Sequence, residues 1–328
     1  MKKILEVKNM SIDFIHKKTK INAVSKLSYE LYENEVLGIV GESGCGKSIS
    51  VMSLLGLLSS GASVEADHIQ FKGRDINGLD VKALSKIRGQ EIAIIFQEPM
   101  TSLNPLMTVG KQILEMYELH TDLSLKEALN ETLEMMEKVG LKNVSSLYHA
   151  YPHELSGGMI QRIMIAMAMV CQPSILIADE PTTALDVTIQ AQILNLMRAL
   201  NQKSHTAILF ISHDLGVIKE MCDRVMVMYL GYVVESGDVM AVLNAPYHPY
   251  TKGLLKSIPN PQKRHERLYS IPGRVPNMSD RPVGCPFCER CEKATEKCSA
   301  QLPELRELDK GHHVRCFYPE MASEMESL

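Results

Sequence analysis

The sequence has no hydrophobic run long enough to cross a membrane. Its longest apolar stretch, Ile163 to Cys171, is about half of the roughly 20 residues that a transmembrane helix needs. The N-terminus begins with charge, as a secretory signal would, but Glu6 and Lys8 interrupt its apolar part at once. Secretion is therefore not expected. We expect a soluble, cytoplasmic protein that reaches a membrane only through partners.

The sequence also lacks an excess of basic residues. Its formal net charge is −4, with 35 Lys and Arg against 39 Asp and Glu, which gives no sign of a nucleic-acid-binding protein. No run of like charges is long enough for an interaction tail. What is present is a 328-residue chain, 45% apolar and 23% charged. Such a chain is typical of a globular protein with one large domain or two unequal ones.

Apolar patterning predicts an α/β fold. Residues 4–14 and 21–31 alternate apolar and polar positions, as half-buried antiparallel strands do. Helical patterning runs through most of residues 109–170 and predicts an inserted helical lobe. Five continuous apolar runs predict buried strands of a parallel sheet: Val36–Val40, Ile92–Phe96, Ile175–Ala178, Ala207–Ile211 and Val225–Met228.

Residues 41–48 fit the phosphate-binding pattern G-x-x-x-x-G-K-[ST] in full, as Gly41-Glu42-Ser43-Gly44-Cys45-Gly46-Lys47-Ser48. The motif lies between a predicted strand and a predicted helix over residues 48–58, as a phosphate-binding loop does. The alternative, a chance glycine-rich turn, would not require these flanking elements. Its glycines let backbone N–H groups converge on phosphates, Lys47 reaches the β- and γ-phosphates, and the Ser48 hydroxyl binds Mg²⁺. The candidate ATP-binding residues here are Gly41, Ser43, Gly44, Cys45, Gly46, Lys47, Ser48 and Ile49.

Two adjacent carboxylates end the predicted strand at residues 175–178. Acidic residues at the carboxyl end of a parallel strand point into the crevice where ligands bind. Asp179 is expected to hold Mg²⁺ through water, and Glu180 to polarise the attacking water as a general base. The alternative is that the pair begins a solvated helix.

A second anion-binding element lies at Leu155-Ser156-Gly157-Gly158, which opens a predicted helix. One site has no use for two phosphate cradles separated by more than a hundred residues. We therefore expect a head-to-tail dimer, in which Ser156, Gly157 and Gly158 contact the ATP bound by the partner. The alternative is a capped helix start with no ligand.

In the order and spacing of these motifs the sequence resembles the ABC ATPase family. Gln97 after the second buried strand, Ala184-Leu185-Asp186 and Ser212-His213-Asp214 belong to the same resemblance. It implies that Gln97 contacts Mg²⁺ and the attacking water and signals to a permease. It also implies that Asp186 lies at a dimer seam and that His213 contacts the γ-phosphate. Phe14 is the candidate for stacking on adenine, with a core position as its alternative.

Three further segments resemble the oligopeptide, dipeptide and nickel importer ATPases: residues 97–105, His248 to Leu255, and Ile271 to Pro276. The resemblance implies an ATP-hydrolysing subunit at the cytoplasmic face of the cell membrane. The partners that it implies are a second ATPase subunit, two permease subunits and, indirectly, an extracellular binding protein. A different chain is expected as the second ATPase subunit, with a homodimer as the alternative. Peptide uptake is the expected function. Uptake of nickel or a metal chelate, or a non-transport ABC ATPase, are the alternatives.

The resemblance also implies the domain organisation. Residues 1–250 are expected to form a P-loop (RecA-like) ABC ATPase domain, with an N-terminal antiparallel β-subdomain and a helical subdomain at about 100–170. Residues 251–328 are expected to form a proline-rich, loop-rich appendix that carries most of the cysteines.

Five of the eight cysteines crowd into that tail, which in a cytosolic chain indicates a metal site rather than disulfides. By resemblance, the ligands are Cys285, Cys291, Cys298 and Cys316, and the group is a 4Fe–4S cluster. Tetrahedral zinc suits four thiolates equally well, and free reduced thiols are the third possibility. Cys288 is a fifth thiol that either replaces a ligand or stays free.

Overall fold

The computed structural model describes residues 2–16, 19–183, 185–258 and 269–320. The chain divides into two compact units. The first comprises residues 1–4, 32–35 and 78–210, and the second comprises residues 5–31, 36–77 and 211–328. Within the described ranges, no helix is both long and apolar enough to span a bilayer.

An antiparallel sheet opens the second unit. Its order is β2-β1-β5-β6, with β4 also paired to β1. The alternating pattern of residues 4–14 and 21–31 predicted the first two strands. Because alternate side chains of a strand point to the same face, the apolar positions are buried together. Leu5, for example, lies opposite Phe71, and both are fully buried. The strands are β1 (Lys3–His16), β2 (Thr19–Tyr32), β4 (Ala62–Glu65), β5 (His68–Phe71) and β6 (Arg74–Asp75).

A second sheet in the same unit contains the strand before the phosphate-binding motif. This strand, β3 (Val36–Val40), is buried throughout and runs parallel to β10 (Arg224–Tyr229). Its continuous apolar sequence matches that burial on both faces. Three antiparallel strands continue the sheet in the order β10-β11-β13-β12. They are β11 (Tyr232–Asp238), β12 (Arg306–Asp309) and β13 (His312–Val314).

The tail is therefore less loop-rich than its composition predicted. β12 and β13 are short, and β12 exposes all three of its charged residues, so neither carries the apolar alternation that marks a strand in sequence. Pairing of Val314 with Glu235 of β11 nevertheless joins the tail to the sheet. Residues 259–268 and 321–328 of the predicted appendix lie outside the described ranges.

Short helices complete the second unit. The helix after the phosphate-binding motif ends at Met52 and tightens into a 3₁₀ turn at Ser53–Leu55, earlier than the predicted Leu58, because Gly56 takes the left-handed conformation (φ 59°) that terminates helices. The helices are α1 (Lys47–Met52), α9 (Leu215–Met221), α10 (Val239–Asn244), α11 (Pro249–Lys256) and α12 (Glu296–Ala300).

The first unit combines two parallel strands with the helical lobe. β7 (Ile92–Ile95) and β8 (Ile175–Asp179) pair in parallel, and Ile95 lies opposite Ala178. A third strand, β9 (Ala207–Ser212), begins in this unit. The helices are α2 (Val81–Ser85), α3 (Pro99–Ser102), α4 (Val109–His120), α5 (Leu125–Lys138), α6 (Val144–Leu147), α7 (Gly157–Met169) and α8 (Val187–Ser204).

Local sequence signals explain where these helices begin. α5 starts with a capping box in which Ser124 and Glu127 each accept a hydrogen bond from the other's backbone N–H. α5 lies within the region 109–170 for which the sequence predicted helices. Asp186 begins α8 by accepting a hydrogen bond from the N–H of Ile189 at 3.0 Å.

Candidate functional site

The phosphate loop, residues 41–48, joins β3 to α1 in the second unit. At two positions another part of the backbone approaches so closely that only glycine fits. A Cβ on Gly41 would lie 2.2 Å from the carbonyl oxygen of Met228, and one on Gly46 would lie 2.8 Å from that of Ala23. Gly46 also has φ 101°, which side-chain-bearing residues rarely adopt. The motif therefore adopts a tight turn directly after a buried strand, as its sequence predicted.

The side chains of this loop differ in exposure. Ser43 and Gly44 are exposed, Ser48 and Ile49 are half-buried, and Cys45 is buried. Burial raises the pKa of the Cys45 thiol, so it is a protonated packing residue rather than a nucleophile.

Lys47 lies at the start of α1 and is 5% exposed. Its ammonium donates hydrogen bonds to the carbonyl oxygens of Gly41, at 2.7 Å, and Glu42, at 3.2 Å. The side chain thus curls back over the loop whose N–H groups would surround a phosphate. A buried ammonium at this position supplies a positive charge that can pair with negatively charged phosphate oxygens.

Two other predicted residues of the second unit lie on defined elements. His213 is exposed and directly follows β9, while Asp214 after it accepts a hydrogen bond from the N–H of Gly216 and begins α9. Phe14 is half-buried in β1, opposite Ala62 of β4. Its half-buried ring is compatible with stacking on a base and with a core position, so its role stays a prediction.

In the first unit, the ends of β7 and β8 bring Gln97 and Glu180 together. The Gln97 amide nitrogen donates to a Glu180 carboxylate oxygen at 3.2 Å. The same oxygen accepts from the Thr183 hydroxyl at 3.0 Å. Because parallel strands present their carboxyl ends at one edge of a sheet, two residues 83 positions apart in sequence meet there.

Asp179 and Glu180 occupy different environments although they are adjacent. Asp179 ends β8 and is 1% exposed, whereas Glu180 is half-buried. Glu180 has φ 46°, in the left-handed region that few residues other than glycine adopt. Strained backbone of this kind is retained where the surrounding structure requires it, often at a functional site. Here it turns the chain sharply, so that the Glu180 carboxylate meets Gln97 and Thr183.

The second predicted anion-binding element starts α7. Ser156 is the N-cap residue, and its side chain makes no capping hydrogen bond. Ser156 and Gly157 are exposed and Gly158 is half-buried. A Cβ on Gly158 would lie 2.7 Å from a methyl group of Ile189 in α8. Gly158 therefore allows close approach of the two helices, and the exposed Ser156 leaves the helix start open to a partner.

The segment linking β8 to α8 is only partly described. Ala184 lies outside the described ranges. Asp186, predicted at a dimer seam, is exposed and caps α8. This local capping role explains an aspartate here without a partner chain, so the seam assignment rests on the sequence.

The segment after Gln97, residues 98–107, contains the short helix α3 and a loop, and its part up to Pro105 is the sequence-based candidate for the permease contact. Gln112 of α4 fixes it by accepting from the N–H of Asn104 at 2.9 Å and donating to the carbonyl oxygens of Asn104 and Met107. Within this segment Leu103 is buried, while Leu106 is 85% exposed. Side-chain hydrogen bonds therefore hold the backbone of this segment while Leu106 stays exposed.

All five tail cysteines line one small cavity: Cys285, Cys288, Cys291, Cys298 and Cys316. The other lining residues are mostly apolar or aromatic, such as Phe287, but include His248. Backbone hydrogen bonds fold the segment on itself, with the N–H of Cys285 donating to the carbonyl of Cys298 at 2.7 Å. The structure thus gathers the cysteines that the sequence grouped.

The thiols are not arranged as a metal site. Across the described ranges, no three or more His, Cys, Asp or Glu side chains are placed to hold a metal ion. Burial raises the pKa of Cys285 to about 12 and that of Cys316 to about 11. The pKa values of Cys288 and Cys291 are also raised by burial. The predicted metal at these cysteines therefore stays a prediction.

Sequence reasoning missed several groups that hold these sites. The Thr183 contact with Glu180 and the Gln112 anchor have no motif that announces them, and the resemblance of the segment beginning at His248 gave no role to this histidine. His248 caps α11 by accepting from the N–H of Tyr250 at 3.1 Å, and its Nε2 has no hydrogen-bond partner in the described part of the chain. Its position before Pro249, at the first turn of a helix, was the available signal for capping.

Comparisons with known proteins agree on one family. The family model described as ABC transporter matches residues 24–183, and the model described as oligopeptide/dipeptide transporter, C-terminal region, matches residues 234–298. The dipeptide transport ATP-binding protein DppD of Escherichia coli (strain K12) is 45% identical over 96% of this chain and 97% of its own length. The oligopeptide transport ATP-binding protein AppD of Bacillus subtilis (strain 168) is 47% identical over 99% of both chains.

Solved structures show the same fold. The ATP-binding cassette MJ0796, in a dimeric structure of a post-hydrolysis state bound to ADP and Pi, superposes with a TM-score of 0.65 and 26% identity. That match covers 72% of this chain and 99% of the other. The α/β ABC ATPase fold, with its antiparallel N-terminal sheet and C-terminal extension, is thereby confirmed. The chain belongs to the ABC transporter family, as an ATP-binding subunit of the oligopeptide and dipeptide transporter type and an ATPase coupled to transport.

Proposed function

We propose that this chain hydrolyses ATP to drive the uptake of peptides through a membrane permease, with Glu180 as the general base. The observation that carries the proposal is the contact between Gln97 and Glu180 at the ends of β7 and β8. An amide and a carboxylate held together at this edge are suited to orient and polarise a water molecule. The peptide substrate is supported by the full-length similarity to DppD and AppD.

The candidate residues have the following proposed roles. In the second unit, the backbone of the phosphate loop and Lys47 bind phosphates, Ser48 is a Mg²⁺ ligand, and His213 contacts the γ-phosphate. In the first unit, Asp179 and Gln97 hold Mg²⁺, and Glu180 accepts a proton from the attacking water. Mg²⁺, when bound, neutralises charge on the β- and γ-phosphates.

The exposed start of α7 supports a nucleotide-sandwich dimer. Ser156 and Gly157 are exposed, with backbone N–H groups at a helix N-terminus. We infer that this element contacts ATP bound by a second ATPase subunit, and that the partner is a different chain of the same family. The dimer of the similar cassette MJ0796 shows that cassettes of this fold pair.

The loop at residues 98–107 supplies the contact with the permease. Its tip presents Leu106, while Gln112 holds its backbone. Because the loop follows Gln97 directly, a shift of Gln97 during hydrolysis moves the surface on which the permease rests. We infer two permease subunits at the cytoplasmic face of the membrane and, outside it, a binding protein that delivers the peptide.

The cysteine cavity supports a resident metal group, held by Cys285, Cys291, Cys298 and Cys316. The donor atoms fit in kind, because five thiols line one cavity and thiolates bind iron–sulfur clusters and zinc. Metal binding would have to draw the thiols of the described residues into a coordinating arrangement that they do not have by themselves. The protein's part is to release the thiol protons of its four ligands, so metal affinity falls on acidification. Burial raises the pKa of three of these thiols, those of Cys285, Cys291 and Cys316. A 4Fe–4S cluster is the proposed group, and zinc is its alternative.

Reconstituted transport tests the main proposal. The tagged chain is purified from membranes with its partners and incorporated into liposomes with the binding protein, ATP and a labelled di- or tripeptide. ATP-dependent peptide accumulation is expected. Accumulation of a nickel chelate without peptide would replace the substrate class, and a chain that copurifies with no permease would contradict the transport role.

Metal analysis tests the cysteine assignment separately. The protein is purified without oxygen, and iron, acid-labile sulfide and zinc are counted per chain. About four irons and four sulfides, with a brown absorption that bleaches on reduction, are expected for a cluster. One zinc in a colourless sample establishes the alternative, and neither metal contradicts both.

A further inference from the structure

Glu42, the second residue of the phosphate loop, carries a carboxylate beside a site proposed for a polyanion. That carboxylate is bound at two points by Arg290. Nη1 lies 2.7 Å from one carboxylate oxygen and Nη2 lies 3.2 Å from the other. Two parallel charge-assisted hydrogen bonds fix orientation as well as position. The pair joins residues 248 positions apart in the chain.

Arg290 is itself held firmly. Its side chain is 4% exposed. Nε donates to the carbonyl oxygen of Pro272 at 3.0 Å, Nη2 to that of Ile271 at 3.4 Å, and Nη1 to the Tyr229 hydroxyl at 3.3 Å. Every guanidinium nitrogen therefore has a partner, and the group cannot swing away from Glu42 without losing several hydrogen bonds.

A second contact from the C-terminal region fixes the backbone of the same residue. The N–H of Glu42 donates to the hydroxyl of Tyr250, in α11, at 2.9 Å. Tyr250 is fully buried and its ring packs 4.7 Å from that of Tyr229. The carbonyl oxygen of Glu42 accepts from Lys47 at 3.2 Å. Side chain, N–H and carbonyl of Glu42 are all fixed, and two of the three anchors come from residues beyond 245.

We propose that Arg290 is a positioning residue for nucleotide binding, which neutralises Glu42 and holds the phosphate loop in its binding shape. The inference rests on the proposed ATP site at residues 41–48. Without Arg290, the unpaired Glu42 carboxylate would repel the phosphates, and the loop would lose its two-point anchor. Arg290 acts through Glu42 and need not touch ATP.

The position of Arg290 depends on the cysteine segment. It ends the 3₁₀ turn Cys288–Arg290 and directly precedes Cys291. Gly273 lies against it, with φ 76° and a hypothetical Cβ only 3.3 Å from the Arg290 Cγ. The fold of the tail thus sets the geometry of a residue in the phosphate loop.

Binding of Mg²⁺-ATP to the purified full-length chain tests this proposal. For Arg290→Gln we expect affinity to fall about tenfold, the size of coupling seen between residues in one network. Arg290→Lys should fall between Arg290→Gln and wild type, because an ammonium cannot form the two-point contact. Amide hydrogen exchange across residues 41–48 should rise in the same order. Lys47→Ala is the reference for loss of the site itself.

Two controls separate positioning from general stability. Arg315→Gln removes a half-buried arginine that binds the carbonyls of Val233 and Pro303 in the same region. It should lower the melting temperature and leave ATP affinity within about twofold. In a Glu42→Gln background, adding Arg290→Gln should also change affinity by less than about twofold, because the two residues act as a unit.

The outcomes are distinct. Wild-type affinity in folded Arg290→Gln, or full additivity with Glu42→Gln, overturns the inference while weak binding by Lys47→Ala preserves the proposed site. Wild-type affinity in Lys47→Ala contradicts the proposed site. If Arg290→Gln does not fold, Arg290→Lys decides in the same way: wild-type affinity and exchange overturn the inference, and intermediate values support it.

Discussion

The motif at the ends of β7 and β8 and the cysteine motif of the tail show two different relations between sequence and structure. At the strand ends, Gln97 and Glu180 lie 3.2 Å apart because the sheet brings them there. In the tail, five cysteines share a cavity, but within the described residues they form no arrangement for a metal. A motif on regular elements inherits its geometry from backbone hydrogen bonds. A motif on loops carries its chemistry in the sequence but obtains its geometry from packing, or from a ligand.

The largest effect should come from removing the charge at the strand end. Glu180→Gln should lower kcat for ATP by about 10³-fold, because a general base is lost. ATP affinity and dimerisation should persist, since the amide still occupies the same place beside Gln97. Steady-state hydrolysis and ATP binding measure the two effects. Glu134→Gln, on the exposed surface of α5, is the control, and fast hydrolysis by Glu180→Gln would exclude the carboxylate as base.

The next largest effect should come from a packing change at the start of α7, where Gly158 lies against α8. Gly158→Val should destabilise the protein by about 3 kcal/mol, because its side chain would collide with Ile189 of α8. Denaturant unfolding measures the loss. Ile189→Ala in the same chain should restore part of the stability by making room. A Gly158→Val protein as stable as wild type would mean that α7 and α8 do not need their close approach.

A smaller effect on stability is expected at His248, which lines the cysteine cavity. Burial lowers the pKa of His248 to about 4; the nearby Glu235 carboxylate opposes this shift, and Arg315 reinforces it. An unfolded chain binds this proton near pH 6.5, so the stability from neutral His248 is present above pH 6.5 and is lost as pH falls towards 4. Between pH 7 and pH 5 the loss should be about 2 kcal/mol.

His248→Asn is the matched variant for this measurement. Asparagine can still cap α11 through its side-chain oxygen but does not titrate. Thermal unfolding at pH 7 and pH 5 should therefore show a smaller pH-dependent loss in the variant than in wild type. Equal losses in the two proteins would assign the acid sensitivity to other groups.

The smallest expected effect is at the fifth thiol. Cys288→Ser should leave the metal content of anaerobically purified protein unchanged, because the proposed ligands are the other four cysteines. Cys298→Ser is the positive control and should lose the metal. Loss of metal from Cys288→Ser would instead make Cys288 a ligand and free one of its neighbours.

The same contrast explains what sequence could predict. The apolar run of β3 followed by the glycines at 41, 44 and 46 specifies a strand and a tight turn, so the phosphate loop was predictable in place and shape. The strand carrying Asp179 and the helix start at Ser156 were predictable for the same reason. In each case a local backbone preference and a burial pattern indicate one structure.

Other features depend on partners distant in sequence. The charged strand β12 has no strand pattern of its own and forms by pairing with β13. Thr183, Gln112 and Arg290 act through contacts that a single sequence does not encode as a pattern. The left-handed conformation of Glu180 is likewise imposed by its surroundings, because glutamate has no intrinsic preference for it.

The link between Glu42 and Arg290 also bears on how the chain is made. β3 pairs with β10, and the phosphate loop is completed by a residue 248 positions further along. Contacts between residues this far apart in sequence form late, because the intervening chain must first be synthesised and ordered. On the ribosome, the nascent chain would carry the whole phosphate-binding motif long before that motif has its final shape. Full ATP affinity would then be reached only after Arg290 has been synthesised and has paired with Glu42.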